Sequence, residues 1–222
     1  MTSPLLLSLK LAAVVSVLLL ALGLPLGYWL GSTRWRGRFL IEALVGLPLV
    51  LPPTVLGFYL LVALGSHGPL GAAWIRWTGH TLAFTFTGLV IGSILYSLPF
   101  AVQPFAASFA AVDRSLLSAA ATLGASQWRA FRTISLPLAL PGVLTGLALS
   151  FAHTLGEFGV VLMIGGNIEG VTRTASISIF DSVQALNYRA ANHAAIVLLA
   201  VSFVLLAVIY GINRRALRWG MR

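Results

Sequence analysis

The sequence predicts an all-α membrane protein with about five transmembrane helices. Hydrophobic residues make up 59% of its 222 residues and charged residues only 9%. The mean hydropathy is +0.96, far from the balance of a soluble domain. Several apolar runs reach the roughly 20 residues that a helix needs to cross a bilayer. We therefore place spans at residues 5–30, 39–64, 82–110, 137–164 and 192–212, in a single transmembrane domain covering 1–222.

The 14 basic residues are unevenly divided between the two sides that these spans imply. Ten lie near the segments that follow the first, third and fifth spans: Arg34, Arg36, Arg38, Arg114, Arg129, Arg132, Arg214, Arg215, Arg218 and Arg222. The other four are Lys10, Arg76, Arg173 and Arg189. Because basic residues accumulate on the cytoplasmic side, we expect the N-terminus outside and the C-terminus inside. The same rule accounts for the net charge of +9 without a nucleic-acid partner.

The first apolar run, residues 5–30, has two interpretations. A cleaved signal peptide would carry a stronger basic region before a shorter apolar core. Here the run is long and Lys10 is its only basic residue. We therefore expect a retained helix.

The second span is unusually rich in residues that bend or break helices. Pro48, Pro52, Pro53 and Gly57 all fall within residues 39–64. Proline removes a backbone donor, and in lipid such a gap is tolerated only where protein or a wet cavity faces it. The interruption either marks a transport pathway or is a kink used only for packing.

Two more polar stretches separate the later spans on the outer side. Residues 65–81 contain tryptophans suited to the membrane interface, and we expect an outer loop there. Residues 165–191 are too polar to span, and we expect a short helix at 176–186. The residues expected to face inward on that helix are Ile179, Phe180 and Val183.

Two polar side chains lie inside predicted spans. Gln103 is either a pathway-lining residue or an interhelical hydrogen-bonding group. Glu157 lies about 22 Å along the fourth helix, in the outer half of the bilayer, and an intramembrane carboxylate is costly and by default functional. We expect a structural or gating role, with Arg173, Arg189 or backbone donors as its partners. His153, one turn earlier, is an alternative partner.

No catalytic constellation is visible in the sequence. It has no cysteine and no G-x-x-x-x-G-K-[ST] motif, so it offers no thiolate metal site and no P-loop for ATP. The four histidines are scattered, without metal-ligand spacing. They are His67, His80, His153 and His193. We therefore expect neither an enzyme nor a bound metal.

Residues 113–136 form the longest segment between spans that is both basic and helix-prone. Leu116, Ala120 and Leu123 share one helical face, although an ordinary interfacial helix would show the same pattern. Its residue spacing is more specific. The spaced positions are Ser118, Ala119, Ala120, Gly124, Ile134, Leu136 and Pro137.

This spacing resembles the cytoplasmic loop of import permeases in the ABC transporter superfamily, which reads E-A-A, three residues, G, nine residues, I-x-L-P. Only the glutamate differs, because Ser118 takes its place. In that family the loop forms the coupling helix, which docks in a cleft of the ATP-hydrolysing partner. The resemblance implies the same role for residues 113–136 and a type I importer-permease fold.

Two further stretches resemble molybdate importer permeases within that superfamily. They are LPLVLPPTVLG at residues 47–57 and LGEFG at residues 155–159. The Asn167-Ile168 and Thr172–Thr174 positions belong to the same pattern, which sulfate permeases partly share. The resemblance implies a molybdate importer subunit. The alternatives are a sulfate, thiosulfate or tungstate permease, or an ion-coupled secondary transporter.

The resemblance also implies an assembly in the cytoplasmic membrane. Its expected partners are a second permease copy, two ATPases that carry ATP–Mg, an extracytoplasmic oxyanion-binding protein and membrane lipid, with no cofactor on this chain. Because the cargo would be a dianion, we do not expect Glu157 to bind it. The pathway or gate candidates are Pro48, Pro52, Pro53, Gly57, Gln103 and Glu157.

Overall fold

The computed structural model describes residues 3–219, with side chains described up to residue 211. Regular structure within that part of the chain is helical throughout. The helices are α1 (Pro4–Ser32), α2 (Arg38–Val50), α3 (Pro53–Leu64), α4 (Pro69–Thr78), α5 (Phe86–Ala110), α6 (Arg114–Thr122), α7 (Gln127–Ala130), a π turn (Phe131–Ser135), α8 (Leu136–Gly156), α9 (Gly159–Gly165), α10 (Ala175–Gln184) and α11 (Tyr188–Trp219). Arg222 lies outside the described residues, as do the side chains of Arg214, Arg215 and Arg218.

The length of the helices agrees with a multi-pass membrane protein. Four helical stretches in the described chain are long and apolar enough to cross a membrane. The pair α2 and α3 makes a fifth when it is counted as one bent span. The predicted all-α fold of about five spans is thus confirmed.

The core is built by α1, α5 and α8, which pack closely along their length. Gly23, Gly27 and Gly31 repeat every four residues on α1 and face α5. A Cβ on Gly31 would lie 2.6 Å from the Ala106 carbonyl oxygen, so only glycine permits this approach. Phe105, which is fully buried, fills the space between the three helices. Such close contact supplies the van der Waals energy that holds membrane helices together.

The proline-rich second segment is broken at Leu51 and Pro52. Both residues are extended, with ψ near 135°, as expected for positions that precede a proline. Pro53 then starts α3, where a missing N–H costs nothing. The axes of α2 and α3 consequently meet at 109°.

The segment at residues 65–81, expected as an outer loop, contains a ten-residue helix, α4, that was not predicted. Pro69 begins α4, and Gly79 ends it in the left-handed conformation with φ of 75°. This arrangement of an N-terminal proline and a C-terminal glycine is a typical helix frame.

The fourth predicted span differs at both ends from a simple helix. Its helical stretch starts at Gln127 and continues through the π turn to Gly156. It stops at Glu157, which is extended (φ −63°, ψ 135°). The short helix α9 then follows, so the single span expected at 137–164 is interrupted at Glu157 and Phe158.

The predicted short outer helix corresponds to α10, but its buried face is different. Ile177 is fully buried, whereas Phe180 and Val183 are 39% and 42% exposed. The inward-facing set expected from periodicity is therefore only partly right, because Phe180 contacts Phe158 but the buried positions of α10 are Ala175 and Ile177. The Ala175 N–H donates to Ser8 Oγ on α1 at 2.8 Å.

Candidate functional site

The amphipathic segment after α5 forms a capped helix, α6, beside the end of α1. Asp113 caps α6 by accepting a hydrogen bond from the Ser115 N–H at 2.8 Å, which lowers the pKa of its carboxyl group. At the other end, the Gly124 N–H donates to Ala121 O and the Ala125 N–H to Ala120 O. These two bonds form a Schellman motif. Gly124 has φ of +78°, so its role is to end the helix.

The surface of α6 is open to a partner. None of its residues is buried, and Ser118 and Ala119 are exposed. Leu116 is 45% exposed and Leu123 is 88% exposed. The rest of the chain therefore leaves these two leucines largely uncovered.

The later positions of the spaced motif lie in a different environment. Ile134 is in the π turn and Leu136 begins α8, and both are half-buried. The Leu136 N–H bonds to Phe131 O, five residues back, and Pro137 lacks the next donor. The structure therefore separates the motif into an exposed part on α6 and a part that leads into α8.

Two interrupted segments meet on the other side of the bundle, where α3 packs against α9. A Cβ on Gly57 would lie 2.8 Å from Met163 Cβ, and one on Gly159 would lie 2.7 Å from Pro53 Cβ. The two glycines thus let the broken segments touch. Pro48 is buried within α2, while Pro52 caps α3.

Glu157 occupies the break between α8 and α9 and is only 4% exposed. Its backbone carbonyl accepts a hydrogen bond from the Ser176 hydroxyl, which ties α10 to the break. Both carboxylate oxygens lack a hydrogen-bond partner among the described residues. Ser93 and Tyr96 on α5 lie close enough to interact with the carboxylate electrostatically. The Ser93 hydroxyl lies outside hydrogen-bonding geometry and is also unpartnered.

The predicted pairing of the Glu157 carboxylate with a nearby arginine or with His153 is wrong. Arg173 Nε instead donates to Asn167 Oδ1 at 2.8 Å and lies 3.6 Å from Asp181 Oδ2. His153 Nδ1 lies 2.9 Å from Ser97 Oγ, and its ring stacks on Phe100 at 4.0 Å. The break in the helix is the reason, because it displaces Glu157 from the helical position on which the pairing was based.

Gln103 lies apart from both Glu157 and the α3–α9 contact. It lines a cavity of about 310 Å³ between α1, α2 and α5, together with Arg38 and Glu42. Arg38 Nε lies 3.5 Å from Glu42 Oε1. The candidates grouped from the sequence thus belong to two separate places.

The loop between α9 and α10 carries a polar network that was not predicted from the sequence. Asn167 Nδ2 donates to both carboxylate oxygens of Asp181, at 3.0 and 2.8 Å. Thr172 Oγ1 donates to Gly165 O and accepts from the Ile168 N–H, which closes the loop. A signal was present, because Asn tolerates the left-handed conformation that Asn167 adopts, with φ of 58°.

Long apolar helices, two broken spans and an exposed amphipathic helix are the features of a multi-pass membrane protein. Comparison with known proteins gives the family. The model of the binding-protein-dependent transport system inner membrane component family matches residues 23–219. This chain belongs to that family of inner-membrane permeases.

Several curated relatives cover nearly the whole chain. The molybdenum transport system permease protein ModB of Azotobacter vinelandii is 51% identical over 94% of this chain and 92% of its own length. ModB of Escherichia coli K12 is 40% identical over 81% of this chain and 78% of its own. The sulfate transport system permease protein CysT of the same strain is 35% identical over 95% of this chain and 75% of its own. The predicted family resemblance is confirmed.

Solved structures show the same fold. The inward-facing MetNI methionine ABC transporter superposes with a TM-score of 0.76 at 17% identity, covering 96% of this chain and 94% of the matched chain. A bacterial ABC transporter that imports the acidic polysaccharide alginate gives 0.74 at 20% identity, covering 96% and 80%. The predicted type I importer-permease fold is confirmed.

Proposed function

We propose that this chain is the membrane-spanning subunit of an ATP-driven importer that carries molybdate across the cytoplasmic membrane. The observation that carries the proposal is the 51% identity to a molybdenum permease over nearly the full length of both chains. The exposed helix α6 supports the proposal, because it offers a surface on which a separate ATPase can dock. Import needs such an energy source, and this sequence contains no P-loop for ATP.

ATP–Mg is bound and hydrolysed by two separate ATPase subunits that dock on α6, and this chain holds no cofactor. Ser118, Ala119, Ala120 and Gly124 form the docking surface, while Ile134, Leu136 and Pro137 connect it to α8. The helical stretch from Gln127 to Gly156 has no loop within it, so a movement that α6 passes to its start at Gln127 is transmitted along α8.

The gate lies where the two broken segments meet. Because α8 ends at Glu157, a shift of α8 changes the contact of α9 with α3. Two discrete packings of that contact would give inward-facing and outward-facing states. Pro52, Pro53 and Gly57 line this contact, and Glu157 positions the break without touching the cargo.

Two copies of this chain enclose the pathway, since five spans are too few to surround one. Apolar side chains of α2, α3 and α11 support an assembly partner, since many are exposed in the isolated chain. An extracytoplasmic oxyanion-binding protein delivers cargo to the outer end, near the Asn167–Asp181 network. The N-terminus is outside and the C-terminus is in the cytoplasm.

The test is uptake of labelled molybdate by vesicles that contain the complete complex with ATP inside. We expect a small excess of tungstate to block uptake and the same excess of sulfate to have little effect. Effective competition by sulfate would reassign the chain to the sulfate permeases, a second candidate favoured by its 35% identity to CysT.

A further inference from the structure

A groove of about 550 Å³ opens between the C-terminal part of α1 and the segment that joins α6 to α8. It is distinct from the exposed face of α6 and from the contact between α3 and α9. The residues that line it are Leu24, Pro25, Tyr28, Gln127, Trp128 and Phe131. Its floor is continuous with the apolar surface of a membrane-spanning helix.

One wall of the groove is a fixed aromatic stack. Trp128 stacks on Phe131 with ring centroids 5.4 Å apart and planes at 19°. Tyr28 meets the same Phe131 ring edge-on at 4.8 Å. Trp128 nevertheless remains 66% exposed. Tryptophan with one buried and one open face is typical of the membrane–water interface.

An unpaired positive charge stands at the rim. The Arg132 guanidinium lies 5.9 Å from the centre of the Trp128 ring, and Arg129 is exposed one turn away. Arg132 has no ion pair in the part of the chain whose side chains are described. A guanidinium in such a position favours a phosphate group, to which it can donate two hydrogen bonds.

The chain itself cannot neutralise this charge, because its five acidic residues are engaged elsewhere. Glu42 pairs with Arg38, while Glu169 and Asp181 pair with Arg173. Asp113 caps α6 and Glu157 is buried at the helix break. None of these five side chains is therefore available to pair with Arg132, and its charge is open to an external anion.

We propose that this groove binds an anionic phospholipid from the adjacent leaflet. An acyl chain lies against Leu24, Pro25 and Tyr28, and the headgroup phosphate is held by Arg132 beside Trp128. Basic pockets between transmembrane helices on the cytoplasmic side recognise anionic headgroups in this way. The bound lipid contacts both α1 and the segment that joins α6 to α8.

Quenching of Trp128 fluorescence by brominated phospholipids tests the proposal. Wild type and Trp128→Phe are compared in nanodiscs, so that subtraction isolates Trp128 from the other five tryptophans. At equal mole fraction, we expect brominated phosphatidylglycerol to bind near Trp128 about fivefold more strongly than brominated phosphatidylcholine. Phenylalanine retains the stack on Phe131, so the reference variant should fold.

Arg132→Gln should abolish the preference for the anionic lipid. The matched control is Arg76→Gln, an exposed arginine on α4 far along the chain, which should leave the preference unchanged. Equal quenching by the two lipids, or a preference that survives Arg132→Gln, would overturn the proposal. So would loss of quenching when the ATPase is added, because the groove would then be part of the ATPase docking surface.

Discussion

Glu157 is the residue whose surroundings are most at odds with its charge. It is 4% exposed, and its carboxylate has no hydrogen-bond partner within the described chain. Burying an ionised carboxylate without a counter-ion is strongly unfavourable. Such a group persists only where the surrounding structure requires it. Its location at the break between α8 and α9 favours a positioning role in the gate over a role in binding an anion.

Replacing Glu157 by Gln should alter coupling without changing the energy source. The carboxamide keeps the shape of the side chain and removes its charge, so it changes the relative stability of the two packings at the break, by about 1–3 kcal/mol. We expect a changed ratio of ATP hydrolysed to molybdate imported, measured in proteoliposomes. Glu169→Gln is the matched control, because that carboxylate is 66% exposed on the loop between α9 and α10 and should have little effect.

Uptake should remain insensitive to an uncoupler in both proteins while ATP is held constant. If wild-type uptake collapsed under these conditions and that of Glu157→Gln did not respond, Glu157 would be the titrating group of an ion-coupled transporter.

The sequence identified Glu157 as a structural or gating candidate but did not predict its neighbours. Pairing with Arg173 was inferred from an unbroken helix, and the break carries no proline to reveal it. The flanking Gly156 and Gly159 are its only local signal. In the same way, Gly23, Gly27 and Gly31 were present at a spacing of four residues, yet their contact with α5 depends on tertiary packing that no local pattern specifies.

At the scale of elements, the helices with strong local frames were the most predictable. Helix α6 combines a cap at Asp113 with a glycine stop at Gly124, and both can be read from the sequence. Helix α4 has an equally clear frame, and it was missed because polarity was given more weight than Pro69 and Gly79. The π turn at Phe131–Ser135 was not predicted from the sequence.

Replacing Gly124 by Leu should weaken ATPase docking while leaving the membrane domain intact. A side chain other than glycine in the left-handed conformation costs about 1–2 kcal/mol, and the Schellman motif that ends α6 would be disturbed. A Cβ there would meet no atom within 4 Å, so the effect is confined to the helix end and the partner surface. We expect reduced co-purification of the ATPase and loss of hydrolysis stimulated by loaded binding protein.

Gly124→Asn is the control, because asparagine tolerates the left-handed conformation. Ser118→Ala should also have little effect, since the family's carboxylate is already absent. Full ATPase binding and full stimulation in Gly124→Leu would mean that α6 is not the coupling helix.

At the scale of the whole molecule, two polar ends are separated by the length of α5. Its 25 residues span about 37 Å, compared with a hydrocarbon core of about 30 Å. One end brings the turn between α4 and α5 near the end of α9, where the Phe84 N–H donates to Ile164 O. The other end carries α6 beside Arg34 and the end of α1. Composition predicted this architecture well, because a bilayer leaves few alternatives to a helical bundle.

Which of these ends faces the cytoplasm can be tested with single cysteines, because the chain contains none of its own. Ser66→Cys and Glu169→Cys report on one end, and Ser115→Cys reports on the other. All three positions are exposed in the structure, so accessibility depends on the membrane and not on burial. The spans expected from the sequence assign ten of the 14 basic residues to the side of α6, so from the positive-inside rule we expect α6 in the cytoplasm. We expect an impermeant thiol reagent added to intact cells to label Ser66→Cys and Glu169→Cys, and to label Ser115→Cys only after the cells are broken.

Labelling of Ser115→Cys in intact cells would reverse the orientation and place α6 out of reach of a cytoplasmic ATPase.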